Sequence, residues 1–215
     1  GAPFPNQNLG LVRNCIVRQN ASVYTSGIYM DGASSKPILG VIENTKIIEN
    51  HALAGAFGSA AINSASGFIM ANCQITENTS SNSTGTPAII GLASYGNTTQ
   101  TAQTSIGIIV NSTIANNNAN SNAMIFQTYG ELPDSLGPSP NTLRVYNSII
   151  SFPTTGNQTL FGNPNGIGYT QIAEFKNLIV SDTAVQSGVQ NYSFENSQTG
   201  IDPMFADPAN GNYQP

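Results

Sequence analysis

Charge is scarce in this sequence. Six Lys and Arg and eleven Asp and Glu amount to 8% of the chain, against roughly 25% in an average globular protein. With so few cations and a net charge of −5, no basic stripe exists to displace counterions, so nucleic-acid binding is not expected. No apolar run approaches the ~18 residues of a membrane-spanning helix, so no membrane insertion is expected. The opening residues, Gly1 to Pro5, have neither the basic start nor the apolar stretch of a secretion signal. The chain therefore reads as mature, trimmed or a fragment. Trp is absent, which leaves Tyr and Phe as the only aromatic surfaces for stacking on sugars. Helical periodicity is nowhere sustained.

Asn, Ser, Thr and Gln take the place of charge at the surface, and Asn alone occurs 27 times. The composition is not that of a disordered chain, which combines low hydrophobicity with high charge; here 39% of residues are hydrophobic. They fall in short β-branched clusters, a strand signature.

The clusters repeat. Six segments align on one Asn: Val12–Val17, Ile42–Ile47, Met70–Ile75, Ile109–Ile114, Val145–Ile150 and Phe175–Val180. The aligned residues are Asn14, Asn44, Asn72, Asn111, Asn147 and Asn177, at spacings of 30, 28, 39, 36 and 30. Two positions before each Asn is an apolar residue, and three after it a β-branched aliphatic one. The position just after is mostly small: Cys15, Thr45, Cys73, Ser112, Ser148 and Leu178. Asn recurs six residues on, at Asn20, Asn50, Asn78 and Asn117, with Pro153 and Thr183 in the last two repeats. A further strand is expected in each unit, at Gly27–Met30, Ala60–Ile62, Ala88–Ile90, Ala123–Phe126, Thr159–Phe161 and Tyr192–Phe194. Insertions around 80–87, 96–103 and 131–140 read as loops.

Apolar positions two apart on either side of the Asn point to one interior. This predicts an all-β fold, a right-handed parallel β-helix solenoid of about six coils with loop insertions, over residues 1–200. A propeller would need a hairpin signal in every unit, and none recurs. The Asn marks the bend between two strands. With coils about 4.8 Å apart, its side chains are expected to hydrogen-bond along the stack as a structural ladder.

The columns resemble the pectate-lyase-like superfamily of right-handed parallel β-helices. The ending, Asp202-Pro203-Met204-Phe205 followed by Asp207-Pro208-Ala209-Asn210-Gly211-Asn212-Tyr213, is similar to the end of secreted bacterial β-helix proteins of the "choice-of-anchor" type. Met204 stands for that pattern's Leu, and Asn212 for its second Asp. The resemblance implies an extracellular or bacterial cell-surface location, a closing segment at 201–215, and a chain that belongs to a longer protein or stacks on neighbouring coils of its own or another chain through open ends.

Enzymes of that superfamily cleave polysaccharides, with a basic residue and carboxylate-held Ca²⁺ or with two or three close Asp residues. The carboxylates here are scattered, and the lone His51 sits in a turn. Only Glu49 and Glu77 share a column in adjacent coils, expected about 5 Å apart. They are the one candidate for Ca²⁺ binding or acid and nucleophile roles; solvated turn residues are the plainer reading. Arg13 and Glu43 are expected to form a cross-coil ion pair. Cys15 and Cys73 share a column two coils apart, about 9.6 Å, too far to bridge, so both are expected to be free, inward-facing thiols without a disulfide. Tyr24, Tyr29, Tyr95, Tyr129, Tyr146 and Tyr169 are candidates for sugar stacking, with Tyr95 and Tyr129 favoured by the adjacent loops. Asn97-Thr98-Thr99 is an N-glycosylation pattern. Asp134-Ser135-Leu136 and Asp182-Thr183-Ala184 resemble a Bacteroidota O-glycosylation signal, which would place glycans on Ser135 and Thr183. The expected function is a non-catalytic surface, adhesive or fibre-forming module. A polysaccharide lyase or glycoside hydrolase, or a carbohydrate-binding portion of one, stands as the alternative.

Overall fold

The computed structural model of the chain describes residues 8–23, 25–30, 38–53, 59–64, 67–81, 88–95, 105–119, 124–131, 141–151, 159–162, 171–182 and 191–213. These form four parallel sheets whose strands, numbered along the chain, appear in chain order within each sheet. The first sheet holds β1 (Asn8–Arg13), β5 (Ile38–Glu43), β9 (Gly67–Ala71), β13 (Ser105–Val110), β17 (Asn141–Tyr146), β20 (Gln171–Lys176) and β22 (Tyr192–Glu195). The second holds β2 (Ile16–Arg18), β6 (Lys46–Ile48), β10 (Gln74–Thr76), β14 (Thr113–Ala115), β18 (Ile149–Ser151), β21 (Ile179–Val180) and β23 (Gln198–Thr199). Four short strands make the third sheet: β3 (Ala21–Ser22), β7 (His51–Ala52), β11 (Thr79–Ser80) and β15 (Asn118–Ala119). The fourth comprises β4 (Ile28–Met30), β8 (Ser59–Ser64), β12 (Ala88–Tyr95), β16 (Met124–Glu131) and β19 (Thr159–Gly162).

Register follows the sequence columns. Val12 pairs with Ile42, Ile42 with Met70, Met70 with Ile109, Ile109 with Val145 and Val145 with Phe175. The aliphatic column three after the Asn is equally aligned, from Val17 through Ile47, Ile75, Ile114 and Ile150 to Val180. One buried cluster joins these columns to Ala52 of the third sheet and to Ile62, Ile90, Phe126 and Phe161 of the fourth. Each such aliphatic side chain contributes about 1.5–3 kcal/mol by leaving water. Phe175 anchors the far end, stacked on Phe194 at 4.8 Å and edge-on to Phe161 at 6.4 Å. One inward column alternates in size: Phe68 lies between Gly40 and Gly107, and a Cβ on Gly107 would stand 3.1 Å from the Phe68 ring.

The repeated Asn has a conformational task. Asn14, Asn44, Asn72, Asn111, Asn147 and Asn177 all lie in the left-handed region, at φ between 48° and 55°. That conformation turns the chain sharply between the first and second sheets, and Asn tolerates it better than other side chains with a Cβ. These residues are exposed. Among them the expected amide ladder is reduced to one bond, from Asn177 Nδ2 to Asn147 Oδ1 at 3.0 Å. The continuous ladder lies six residues later. Asn20 Nδ2 donates to Asn50 Oδ1 at 2.8 Å, Asn50 to Asn78 at 2.9 Å and Asn78 to Asn117 at 2.9 Å. Each of the three acceptors also takes the backbone N–H of the Asn before it. Asn50, Asn78 and Asn117 are fully buried, so this ladder satisfies interior polar groups that water cannot reach.

Two further expectations need correction. Tyr192–Phe194 is not a further strand of the sixth repeat; it pairs with β20, Phe194 opposite Phe175. It opens a seventh repeat, with Asn196 left-handed at φ 49°. Only 19 residues separate Asn177 from Asn196, and Thr199 replaces the usual aliphatic residue, which hid it. Cys15 and Cys73 are both free, but only Cys73 is buried. Cys15 belongs to the first described repeat, whose outer edge no other described strand covers, so its thiol is exposed.

Candidate functional site

The bend between the second and third sheets carries the two candidate glutamates. Glu49 and Glu77 are left-handed, at φ 55° and 60°, as are Gln19 and Asn116 in the same column at 56° and 51°. Strain at a Glu would draw attention as a site feature. Here four successive repeats share it, so it belongs to the bend. The carboxylates are also occupied in different directions. Gln19 Nε2 donates to Glu49 Oε2 at 2.7 Å, whereas the Tyr213 hydroxyl donates to Glu77 Oε1 at 2.8 Å. No cluster of three or more His, Cys, Asp or Glu suited to a metal exists among the described residues.

Tyr213 reaches Glu77 because of how the C-terminal motif folds. Asp202 Oδ1 accepts the Met204 N–H at 3.0 Å, a local turn. Pro208–Asn210 form a single 3-10 turn, ended by Gly211 in the left-handed region at φ 74°. Asp207 and Asn212 bridge antiparallel across it, and Asn210 Nδ2 caps Asp207 at 2.9 Å. The turn sets Tyr213 edge-on to Phe205 at 5.3 Å. Its hydroxyl also accepts from Asn116 Nδ2 at 3.1 Å. Tyr213 is only 5% exposed, and burial, then the bond to Glu77, pushes its hydroxyl up to about 12. The segment thus doubles back from the seventh repeat to the third and fourth.

Two grooves flank this segment on the outer side of the second sheet. The larger, about 540 Å³, is lined by Asn44, Asn72, Asn111, Gln74, Thr113 and Tyr213 among others. The smaller, about 340 Å³, brings Arg18, Lys46, Glu49 and Glu77 beside Asn210 and Gly211. The larger one offers amides and hydroxyls at the spacing of stacked strands. The Tyr213 ring is packed and its hydroxyl engaged, so it forms a wall and not a stacking platform.

A second polar cluster, missed in the sequence, lies on the outer face of the first sheet. The Tyr146 hydroxyl donates to Glu174 Oε2 at 2.7 Å, and Arg144 Nε stands 3.3 Å from the same oxygen. The Tyr146 bond, assisted by Arg144, holds the Glu174 carboxyl below its ordinary range. Burial and then the Glu174 carboxylate raise the Tyr146 hydroxyl. Lys176 pairs with Glu195 at 2.7 Å, which raises its ammonium. The signal was in the register: Arg144 pairs with Glu174 and Lys176 with Glu195 in aligned columns. Arg13 and Glu43 pair likewise, at 2.7 Å.

No family model, curated protein or solved structure matches the chain.

The remaining candidates are dispersed. His51 Nδ1 contacts the Thr79 hydroxyl, and Ser81 Oγ is 3.5 Å from its Nε2. That serine already donates toward the Leu53 carbonyl at 2.7 Å, so the pair is not an activated nucleophile. Tyr95 and Tyr129 lie on β12 and β16, opposite Glu131 and Ala93. Tyr29 is 53% exposed at the edge of the fourth sheet. Tyr24, Tyr169, Asn97, Ser135 and Thr183 fall outside the described residues.

Proposed function

We propose that this chain is a right-handed parallel β-helix module of pectate-lyase-like architecture that serves, without catalysis, as a structural or adhesive element of a bacterial surface. The supporting observation is the fate of its carboxylates. Every Glu whose side chain is described is engaged by a neighbour: Glu43 by Arg13, Glu49 by Gln19, Glu77 by Tyr213, Glu174 by Tyr146 and Arg144, Glu195 by Lys176. A glycosidase needs one carboxyl poised as acid and a second as nucleophile or base at a defined separation; these are committed to holding repeats together. The scarcity of charge and the amide-rich surface suit an inert scaffold. Incubation with uronate-rich and neutral polysaccharides, followed by reducing-end and unsaturated-uronate assays, is expected to give no release. Release abolished by E49Q or E77Q would overturn the proposal.

The 540 Å³ groove favours one second reading, a binding site for a neutral polysaccharide. Asn72 and Gln74 would supply amide contacts to sugar hydroxyls. A glycan array should then show binding that N72A and Q74A weaken without loss of fold; an array with no binder removes this reading.

A further inference from the structure

Among the described residues, the first and second sheets end in strands paired on one side only, β1 and β2 at one end and β22 and β23 at the other. At one end β1 and β2 leave Leu9, Leu11 and Ile16 exposed at 71%, 59% and 63%. At the other, every described residue of β22 and β23 except Phe194 is exposed. After β23 the Ile201 N–H turns to the Val180 carbonyl, and the described C-terminal segment runs back toward Glu77.

Two bonding series run through the stack without a break. Each left-handed Asn N–H donates to the carbonyl just before the next repeat's Asn: Asn14 to Glu43, Asn44 to Ala71, Asn72 to Val110, Asn111 to Tyr146, Asn147 to Lys176 and Asn177 to Glu195. In return, the residue two after each Asn donates to the carbonyl one after the previous Asn, from Lys46 to Cys15 through Gln198 to Leu178. At the seventh repeat the first series stops at the Asn196 N–H and the second at the Ser197 carbonyl. At the first repeat the first series stops at the Arg13 carbonyl, which also takes the Cys15 thiol at 3.2 Å, and the second at the Ile16 N–H. One edge therefore offers what the other takes. The outward column just before the Asn follows suit. It starts with the cation–anion pair Arg13–Glu43 and ends with the pair Lys176–Glu195.

We propose that the chain stacks end to end on a second copy, β22 and β23 of one pairing in parallel with β1 and β2 of the next. Glu195 then meets Arg13, and the column alternates in sign across the junction. Phe194 and Thr199 face Val12 and Val17, continuing the two inward columns. Joining like ends instead would set the strands antiparallel and break both bonding series. The head-to-tail contact does not close on itself, so it builds linear filaments. The inference rests on the β-helix reading above and names its partner.

Thiol crosslinking of an S197C variant tests the junction. Residues 15 and 197 occupy the same column at opposite ends of seven strands, about 29 Å apart, so a short bismaleimide can join them only between copies. Dimers, trimers and higher ladders are expected with S197C and none with C15S/S197C. No ladder, or an equal one in the double variant, overturns the proposal. Sedimentation should show mass growing with concentration, weakened about 5-fold or more by E195R. I16P should weaken it as well, by removing the edge N–H. A folded monomer at all concentrations also refutes it. Small-angle scattering separates the two levels: an elongated monomer defeats the stacking alone, and a compact one defeats the β-helix reading.

Discussion

The two asparagine columns look alike in sequence and should respond unequally to mutation. In Asn78→Ala the Asn50 N–H and Nδ2 both lose the Asn78 Oδ1 acceptor, at 3.0 and 2.9 Å, and the Ile47 carbonyl loses the Asn78 Nδ2 donor at 2.9 Å. Asn50 Nδ2 keeps the Val17 carbonyl at 3.1 Å, which leaves one buried N–H and one buried carbonyl without these partners. Each such group costs about 1–3 kcal/mol, so N78A should lose about 2–6 kcal/mol. Asn72 is exposed and has no ladder partner; its replacement by Ala costs only the left-handed backbone penalty, about 1 kcal/mol. Asn72→Gly removes that penalty and should be close to neutral. Denaturant titration followed by far-UV circular dichroism or tyrosine fluorescence, the chain having no Trp, reads these as shifts in Cm. N72A as damaging as N78A, or N72G as damaging as N72A, would refute the division of labour between columns.

Tyr213 should control the C-terminal segment at alkaline pH. Its hydroxyl is raised to about 12, so the folded state holds that proton more tightly. The resulting stability is intact below the ordinary value of 10 and is lost as pH rises through 12. Phenolate absorbance should show a late-ionising tyrosine that Y213F removes. Glu174 has the opposite sign: its lowered carboxyl contributes stability above about 4.5 that is lost as pH falls through the folded value. E174Q should flatten the acid limb of the stability curve, and Y146F should move the Glu174 titration, followed by NMR, back upward. Cys15 is exposed, whereas Cys73 is buried with its thiol raised by that burial. A disulfide reagent should therefore modify one thiol quickly and the second only on unfolding; two equal fast phases would contradict the register.

The inward columns were legible because burial imposes a two-residue alternation on the strand before each bend, visible in Leu143-Arg144-Val145-Tyr146. The buried ladder is legible too, from where each Asn column stops. A left-handed bend is a need local to each repeat, so its Asn persists through all seven, Asn196 included. A ladder needs adjacent partners, so it can stop, and Pro153 and Thr183 follow Asn117. The site was less readable. The pattern Asp207-Pro208-Ala209-Asn210-Gly211 announces a tight turn. Nothing local says that the Tyr213 beyond it binds residues 97 and 136 positions earlier.

The shortage of charge follows from the stacking itself. In parallel strands, identical columns stand about 4.8 Å apart, where two like charges repel by roughly 1 kcal/mol in water and about 3.5 kcal/mol near a protein surface. A column can therefore be neutral, as with Gln74 and Thr113 on the second sheet, or alternate in sign, as with Arg13–Glu43, Arg144–Glu174 and Lys176–Glu195. Glu49 and Glu77 are the exception, adjacent and alike. Their carboxylates are drawn apart, one by Gln19 and the other by Tyr213. On this argument the C-terminal segment has an electrostatic task besides packing. Removing it should leave Glu77 facing Glu49 with no hydroxyl to engage it. Truncation before Ile201 should then destabilise the chain more at low ionic strength than at about 1 M salt, where the repulsion between the two carboxylates is screened. An equal loss at both salt concentrations would show that the segment contributes packing alone.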